Sequence, residues 1–311
     1  MRALNLETAW RAPNLEKDWR GKLFPPCARI MAHMKRGRAD TSTTSGSPAR
    51  DERDERQTIQ RTALRDMYAA RAITPADDGF GCPSLKRCAG SVALPLNTGN
   101  WAFVGCDYGL ARVGGMPAKV LFIAMDRGGR RKKAETFTDT QRSFRSSIET
   151  PKNPHMGGVS LIVRELVDEK DLSAISGQCA LTNAVKCAQQ TGSMSTDASR
   201  LMVRECVSHL RAEIAVLAPD IIVTQGSHPA STVLGLYEST SRVLDSSASV
   251  NGVMDLWTVP GGPVVLRTPH PARQKGVQWS RGLLPQDWRD AISAVRGAFV
   301  AKQGSLRDGL A

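Results

Sequence analysis

The sequence predicts an α/β fold, a three-layer α/β/α sandwich around a mainly parallel, four-stranded central sheet. Three observations predict it. Four short apolar runs recur beyond Gly79, at 119–125 (KVLFIAM), 180–185 (ALTNAV), 220–224 (DIIVT) and 264–267 (VVLR). None shows the apolar/polar alternation of a half-exposed strand, as expected of strands covered on both faces. Helical patterns separate them, and strands alternating with helices argue for parallel neighbours joined by crossovers.

Each further element has its own reason. Residues 159–169 carry apolar side chains at helical spacing. The longer segment 197–217 opens at Thr196 or Asp197, either of which can cap a helix, and stops ahead of Pro219. A third helix, 287–302, closes the domain. Earlier in the chain, Leu64, Met67 and Tyr68 fall among arginines in helical register within 58–72. Before them, 34–57 (MKRGRADTSTTSGSPARDERDERQ) offers too little apolar surface to offset the entropy of ordering and reads as a linker. Trp10, Trp19, Leu23 and Phe24 form a candidate docking element upstream. The expected organisation is a basic, partly disordered N-terminal extension over 1–78, one domain over 79–303, and a tail over 304–311. No fixed-period repeat is present, which disfavours a solenoid.

With 311 residues, 41% hydrophobic and 23% charged, the chain is long enough for one large domain and an appendage. Its apolar runs are of strand length, far short of the roughly 18 residues of a membrane helix, so no membrane span is expected. The opening MRALNLETAW has no basic stretch followed by an apolar block, and a cytoplasmic location follows. In that reducing compartment the seven cysteines are inert thiols or metal ligands rather than disulfides. Lys and Arg number 42 against 30 Asp and Glu, a net +12, and half of this excess lies in the first 76 residues. Such a balance favours an anionic partner, nucleic acid above all.

In an open parallel sheet, ligands gather beyond the carboxyl ends of the strands. After the first run stand Asp126, Arg127, Gly128 and Gly129. A carboxylate there is placed to orient water or to favour a developing cation, while a turn capped by the Asp is the plainer reading. Arg127, Arg130, Arg131, Lys132 and Lys133 put five positive charges in seven positions, suited to phosphates or to a solvated loop. The second run ends at Asn183, whose carboxamide could read a base edge or bond the local backbone. The fourth ends at His270, which Pro269 and Pro271 fix on either side.

Taken in order, Asp126, then Asn183-Ala184-Val185-Lys186-Cys187, then a helix near Arg204-Glu205-Cys206, then PDIIVTQG, then His270-Pro271-Ala272, resemble the uracil-DNA glycosylase superfamily. The likeness covers about 80–303 and points to its iron-sulfur branch, of which this chain would be a divergent member. The resemblance implies that Ala124-Met125-Asp126-Arg127-Gly128 is the first motif, with Ala124 and Met125 against the substrate and Asp126 activating water. It makes Asn183 the pyrimidine-reading amide and His270 the group that stabilises the departing base. It puts His155, in Pro154-His155-Met156-Gly157-Gly158, where relatives stack an aromatic ring on the flipped base. The basic run from Arg127 to Lys133, with Arg273, would contact DNA.

The resemblance also implies a [4Fe-4S] cluster, because Cys187 and Cys206 fall where the iron-sulfur relatives place their third and fourth ligands. Cys82 and Cys88 would complete the set, with Cys106 as a competitor, while Cys27 and Cys179 are expected to be inert. A structural zinc ion is the alternative, as four thiolates also suit its tetrahedral site. The function implied is a DNA repair glycosylase removing uracil or another deaminated base. Met125 and Arg127 stand where iron-sulfur relatives carry Glu and Pro, and they support a second reading, a nucleic-acid-binding module of the same fold with altered chemistry. A nucleotide-processing enzyme unrelated to DNA is a third, which the positive charge disfavours.

Overall fold

The computed structural model describes residues 48–73, 81–125, 136–189, 198–245, 254–270 and 282–308. Their elements, in chain order, are α1 (Pro48–Ala70), α2 (Leu85–Ala89), β1 (Leu96–Thr98), β2 (Phe103–Val104), β3 (Ala111–Val113), β4 (Met116–Ala118) and β5 (Val120–Ala124). There follow α3 (Phe137–Glu149), α4 (Pro154–Leu166), α5 (Leu172–Gln178), β6 (Cys179–Asn183), β7 (Cys187–Gln189), α6 (Arg200–Leu217) and β8 (Ile221–Gln225). The chain ends with α7 (Ser227–Leu234), β9 (Ser241–Asp245), β10 (Asp255–Thr258), β11 (Val264–Thr268) and α8 (Gln286–Asp308).

The central sheet has seven strands, not four, in the order β2-β6-β5-β8-β11-β10-β9. The four apolar runs are its parallel heart, β6-β5-β8-β11. Every residue of β5, β6 and β8 is buried, which is why none of them shows an apolar/polar alternation. The three extra strands are antiparallel and lie at the edges, β2 against β6 and then β10 and β9 beyond β11. Two-residue β2 is too short to leave a pattern, and β9 (SRVLD) carries the charges usual on an exposed edge.

Alternate side chains along the strands enter different cores. Val120, Phe122, Leu181, Val223 and Leu266 meet α4 and α8 on one face. Leu121, Ile123, Ala180, Ile222 and Val265 meet α1 and α6 on the other. Two layers of helices thus cover the sheet and complete the expected sandwich.

The helix ends differ from the sequence reading for local reasons. Helix α4 starts at Pro154, earlier than residue 159, because Asn153 Oδ1 accepts the Met156 N–H (2.9 Å) and Pro154 suits the first turn. Ser199, not Thr196 or Asp197, caps α6, accepting the Met202 N–H (3.2 Å), and Ala218 ends it in the left-handed region at φ 43°. Helix α8 runs on to Asp308.

Helix α1 begins at Pro48, so it takes in the charged residues 48–57 that read as linker. Its Leu64 and Tyr68, with Ile73 just beyond, are wholly buried inside the compact unit Ser47–Ala311, ahead of the boundary expected at residue 79. Trp10, Trp19, Leu23, Phe24 and Cys27 lie outside the described residues. No described helix is long and apolar enough to cross a membrane.

Candidate active site

The carboxyl ends of the parallel strands come level with one another through their register. Ala124 of β5 pairs with Asn183 of β6, and Gln225 of β8 pairs with Thr268 of β11. The pairing continues past the strands, since Ala184 N–H donates to Ala124 O (2.8 Å), Val185 N–H to Met125 O (2.9 Å) and Gly226 N–H to Thr268 O (2.7 Å). Gly226 adopts φ 107°, a region a side chain rarely allows, and lets the chain turn from β8 directly into α7. Because side chains alternate, Asn183, Ala124, Gln225 and Thr268 share the face of Leu181, Phe122, Val223 and Leu266. That is the face α4 covers.

The first turn of α4 brings His155 onto this edge. His155 Nε2–H donates to Gln225 Oε1 (2.7 Å), and its ring stacks on His270, with centroids 4.9 Å apart and planes 13° from parallel. Both imidazoles are half-buried, while Asn183 and Gln225 are each only 2% exposed. Among the described residues, neither Asn183 Nδ2 nor Gln225 Nε2 has a hydrogen-bond partner. Buried amide N–H groups are normally paired, so two unpaired ones on one sheet edge, with the small Ala124 between them, mark a place suited to a ligand's acceptors. Of the residues expected at the site, Ala124, His155, Asn183 and His270 stand at this edge, whereas Met125, expected against the substrate, packs its side chain with the core on the opposite face. Asp126, which follows Met125, lies outside the described residues, as do Arg127, Arg130, Arg131, Lys132, Lys133 and Arg273.

Behind Asn183, on the opposite face, is a buried ionic network that the sequence did not disclose. Lys186 Nζ donates to Asn183 O (2.6 Å), Thr182 Oγ1 (2.8 Å) and Glu213 Oε2 (2.7 Å). Thr182 Oγ1–H donates to the same carboxylate oxygen (2.7 Å), and Tyr68 OH donates to Glu213 Oε1. Tyr68 OH in turn accepts the Ala102 N–H (2.9 Å). Lys186 and Glu213 are 1% and 0% exposed, so each depends on the other for its charge to be tolerated. The network fixes the turn that carries Asn183 and ties it to α1 and α6. Lysine and glutamate ordinarily read as surface residues, and Gln225 belongs to no periodic pattern. Only its place at a strand end, ahead of a glycine, could have singled it out.

The thiols separate into two groups. Cys106 belongs to the amino end of the sheet, where Gly105 N–H bonds Cys179 O (3.0 Å) and Cys106 Sγ–H points to Asp107 Oδ2 (3.7 Å). Cys187 follows the opposite end of β6, on β7, which β1 holds in register. Cys82, Cys88 and Cys206 are its electrostatic neighbours. Ser84 Oγ–H and Arg87 bond Glu205, clamping the α2 segment onto α6 and so Cys88 near Cys206. Burial pushes the Cys206 thiol up to about 11, with Cys88 and Cys82 adding to the rise and Lys186 opposing it. As they stand, no three His, Cys, Asp or Glu among the described residues form a group that could hold a metal ion. Cys88, Cys187 and Cys206 are buried and Cys82 is half-buried, and as thiolates the four would repel one another unless a cation lay between them.

No curated protein matches the chain. The family model of the uracil DNA glycosylase superfamily matches residues 112–286, a span holding β5, β6, β8 and β11 together with His155, Asn183, Gln225 and His270. That match covers more than half of the sequence and the sheet edge described above, and the chain therefore belongs to the uracil DNA glycosylase superfamily.

Proposed function

We propose that the protein is a DNA glycosylase that hydrolyses the N-glycosidic bond of uracil or another deaminated base in DNA. The observation that carries this reading is the meeting of His155 and His270 beside two buried carboxamides with unpaired N–H groups. A base drawn out of the duplex, at a cost of a few kcal/mol for unstacking, would enter this edge. His155 supplies a flat ring for it to lie against, and Asn183 bonds its polar edge. As the bond between C1′ and the base nitrogen breaks, its electron pair leaves with the base and positive charge grows on the sugar. His270 donates a hydrogen bond to the base oxygen that takes up the negative charge. Asp126 favours the cation and accepts the proton of the water whose oxygen bonds to C1′. Arg127, Arg130, Arg131, Lys132, Lys133 and Arg273 would hold phosphates, making binding salt-sensitive.

The same reading assigns a [4Fe-4S] cluster, with zinc as the alternative, to Cys82, Cys88, Cys187 and Cys206. Such a centre supplies a structural tie and no redox step. Such a centre would join the segment leading into α2 to β7 and α6, next to the turn that carries Asn183.

The test uses anaerobically purified protein whose iron, acid-labile sulfide and zinc are measured before assay. Uracil-containing single- and double-stranded oligonucleotides are then treated with the protein and with alkali. The expected result is alkali-labile sites, reduced about 10² to 10³-fold by His270→Ala or Asp126→Asn, as for loss of other charge-stabilising groups. Intact strands with every deaminated base would overturn the enzymatic reading and leave a binding module, while absence of both iron and zinc would remove the metal centre.

A further inference from the structure

We propose that Gln225 is a specificity-determining residue of this site, selecting bases that present a carbonyl oxygen over those that present an amino group. The proposal rests on the glycosylase reading above and assigns the feature by which a deaminated base would be told from its parent. Three observations carry it. Gln225 ends β8, one strand from Ala124 and two from Asn183, on the same sheet face, and is 2% exposed. His155 Nε2–H donates to its Oε1 (2.7 Å), which fixes the end of the carboxamide that faces the histidine and leaves the NH₂ group on the other side. That nitrogen has no partner, and Thr268, its neighbour across the ladder, spends its own hydroxyl proton on Thr224 O (3.2 Å).

A buried N–H donor that nothing among the described residues satisfies favours a ligand bearing an acceptor and penalises one bearing a second donor. Deamination makes that exchange, replacing an exocyclic amino group with a carbonyl oxygen. Gln225 would thus act twice, once through its oxygen to hold the His155 ring and once through its nitrogen to read the base. Strands lie about 4.8 Å apart, so Asn183 and Gln225 are roughly 10 Å apart at the backbone, with Ala124 between them.

The test compares binding by the full-length protein to two single-stranded oligonucleotides that differ at one nucleotide, 2′-fluoro-2′-deoxyuridine or 2′-fluoro-2′-deoxycytidine. The fluorine disfavours the sugar cation and keeps the bond intact, so binding is read without turnover. The parent is expected to prefer the uracil strand. Gln225→Leu, which removes both contacts, should reduce the uracil-over-cytosine ratio about tenfold. Gln225→Glu keeps an acceptor for His155 but replaces the donor, and should reduce the ratio further or invert it. Melting curves verify folding, and Gln225→Met, similar in length, replaces either variant that fails to fold. A parent preference that survives in the folded variants would overturn the inference alone. No preference in the parent would overturn it together with the glycosylase reading.

Discussion

His209 is 8% exposed on α6, and Arg71 Nε donates to its Nδ1 across 2.9 Å. Burial first, then the charges of Arg71 and Lys186, lower its pKa to about 4, with Glu205 opposing weakly. The folded ring is therefore neutral at pH 7, whereas in the unfolded chain it titrates near 6.5. Between these values only the unfolded state takes up the proton, so stability is intact above about pH 6.5 and is lost as pH falls toward 4. From pH 7 to 5.5 the loss due to this one ring should be about 1 kcal/mol. Carboxylates add a loss of the same sign, so the comparison that isolates the ring is urea unfolding of the parent and His209→Gln at both pH values. The variant should lose about 1 kcal/mol less than the parent, and equal losses would show that the ring does not titrate as argued.

At the scale of the element, β6 shows what a sequence discloses and what it hides. Its run was legible because a strand covered on both faces shows no apolar/polar alternation, and the same holds for β5 and β8 and, apart from the half-buried Arg267, for β11. Edge strands left no such mark. Nor did the ion pair that anchors the turn after β6, because Lys186 and Glu213 are far apart in sequence and charged side chains are seldom buried. Removing one partner strands the other in a dry interior, so Lys186→Met should cost ~3–5 kcal/mol in urea unfolding. Replacing both, as Lys186→Met with Glu213→Leu, should recover a large part of that loss, because two apolar side chains need no partner. Simple addition of the two single costs would show that the pair is not coupled in the folded state. Even where the double variant folds well, Asn183 O loses the Lys186 donor (2.6 Å), so the uracil binding proposed for this site should stay weakened.

Over the whole molecule, the site is assembled by the sheet rather than by any local motif. Asn183 and His270 stood out singly, through a strand end and flanking prolines, and His155 only through the family resemblance, but their meeting depends on strand order and on α4 covering that face. Gln225 escaped notice because a lone glutamine at a strand end carries no spacing signal. The same dependence on tertiary packing hid the part that α1 takes in the core. The charged start of α1 lowers its mean apolarity, yet Leu64 and Tyr68 pack against the core, and Tyr68 adds the donor on Glu213 and the acceptor for Ala102 N–H. Tyr68 also meets the Trp101 and Phe137 rings edge-on, at 4.9 and 6.4 Å between centroids. A chain beginning at Gly79 would expose the apolar surface that Leu64, Tyr68 and Ile73 cover, at ~1.5–3 kcal/mol for each large side chain. It would also strand the Ala102 N–H and one oxygen of Glu213, at a further ~1–3 kcal/mol each. Together these approach the whole stability of an ordinary domain, about 5–15 kcal/mol. A chain beginning at Ser47 keeps all of these contacts. Thermal unfolding of the two truncations should therefore separate them by more than about 10 °C, with the shorter one melting low or failing to fold. Equal melting temperatures would place α1 outside the cooperative unit and refute its part in supporting Asn183.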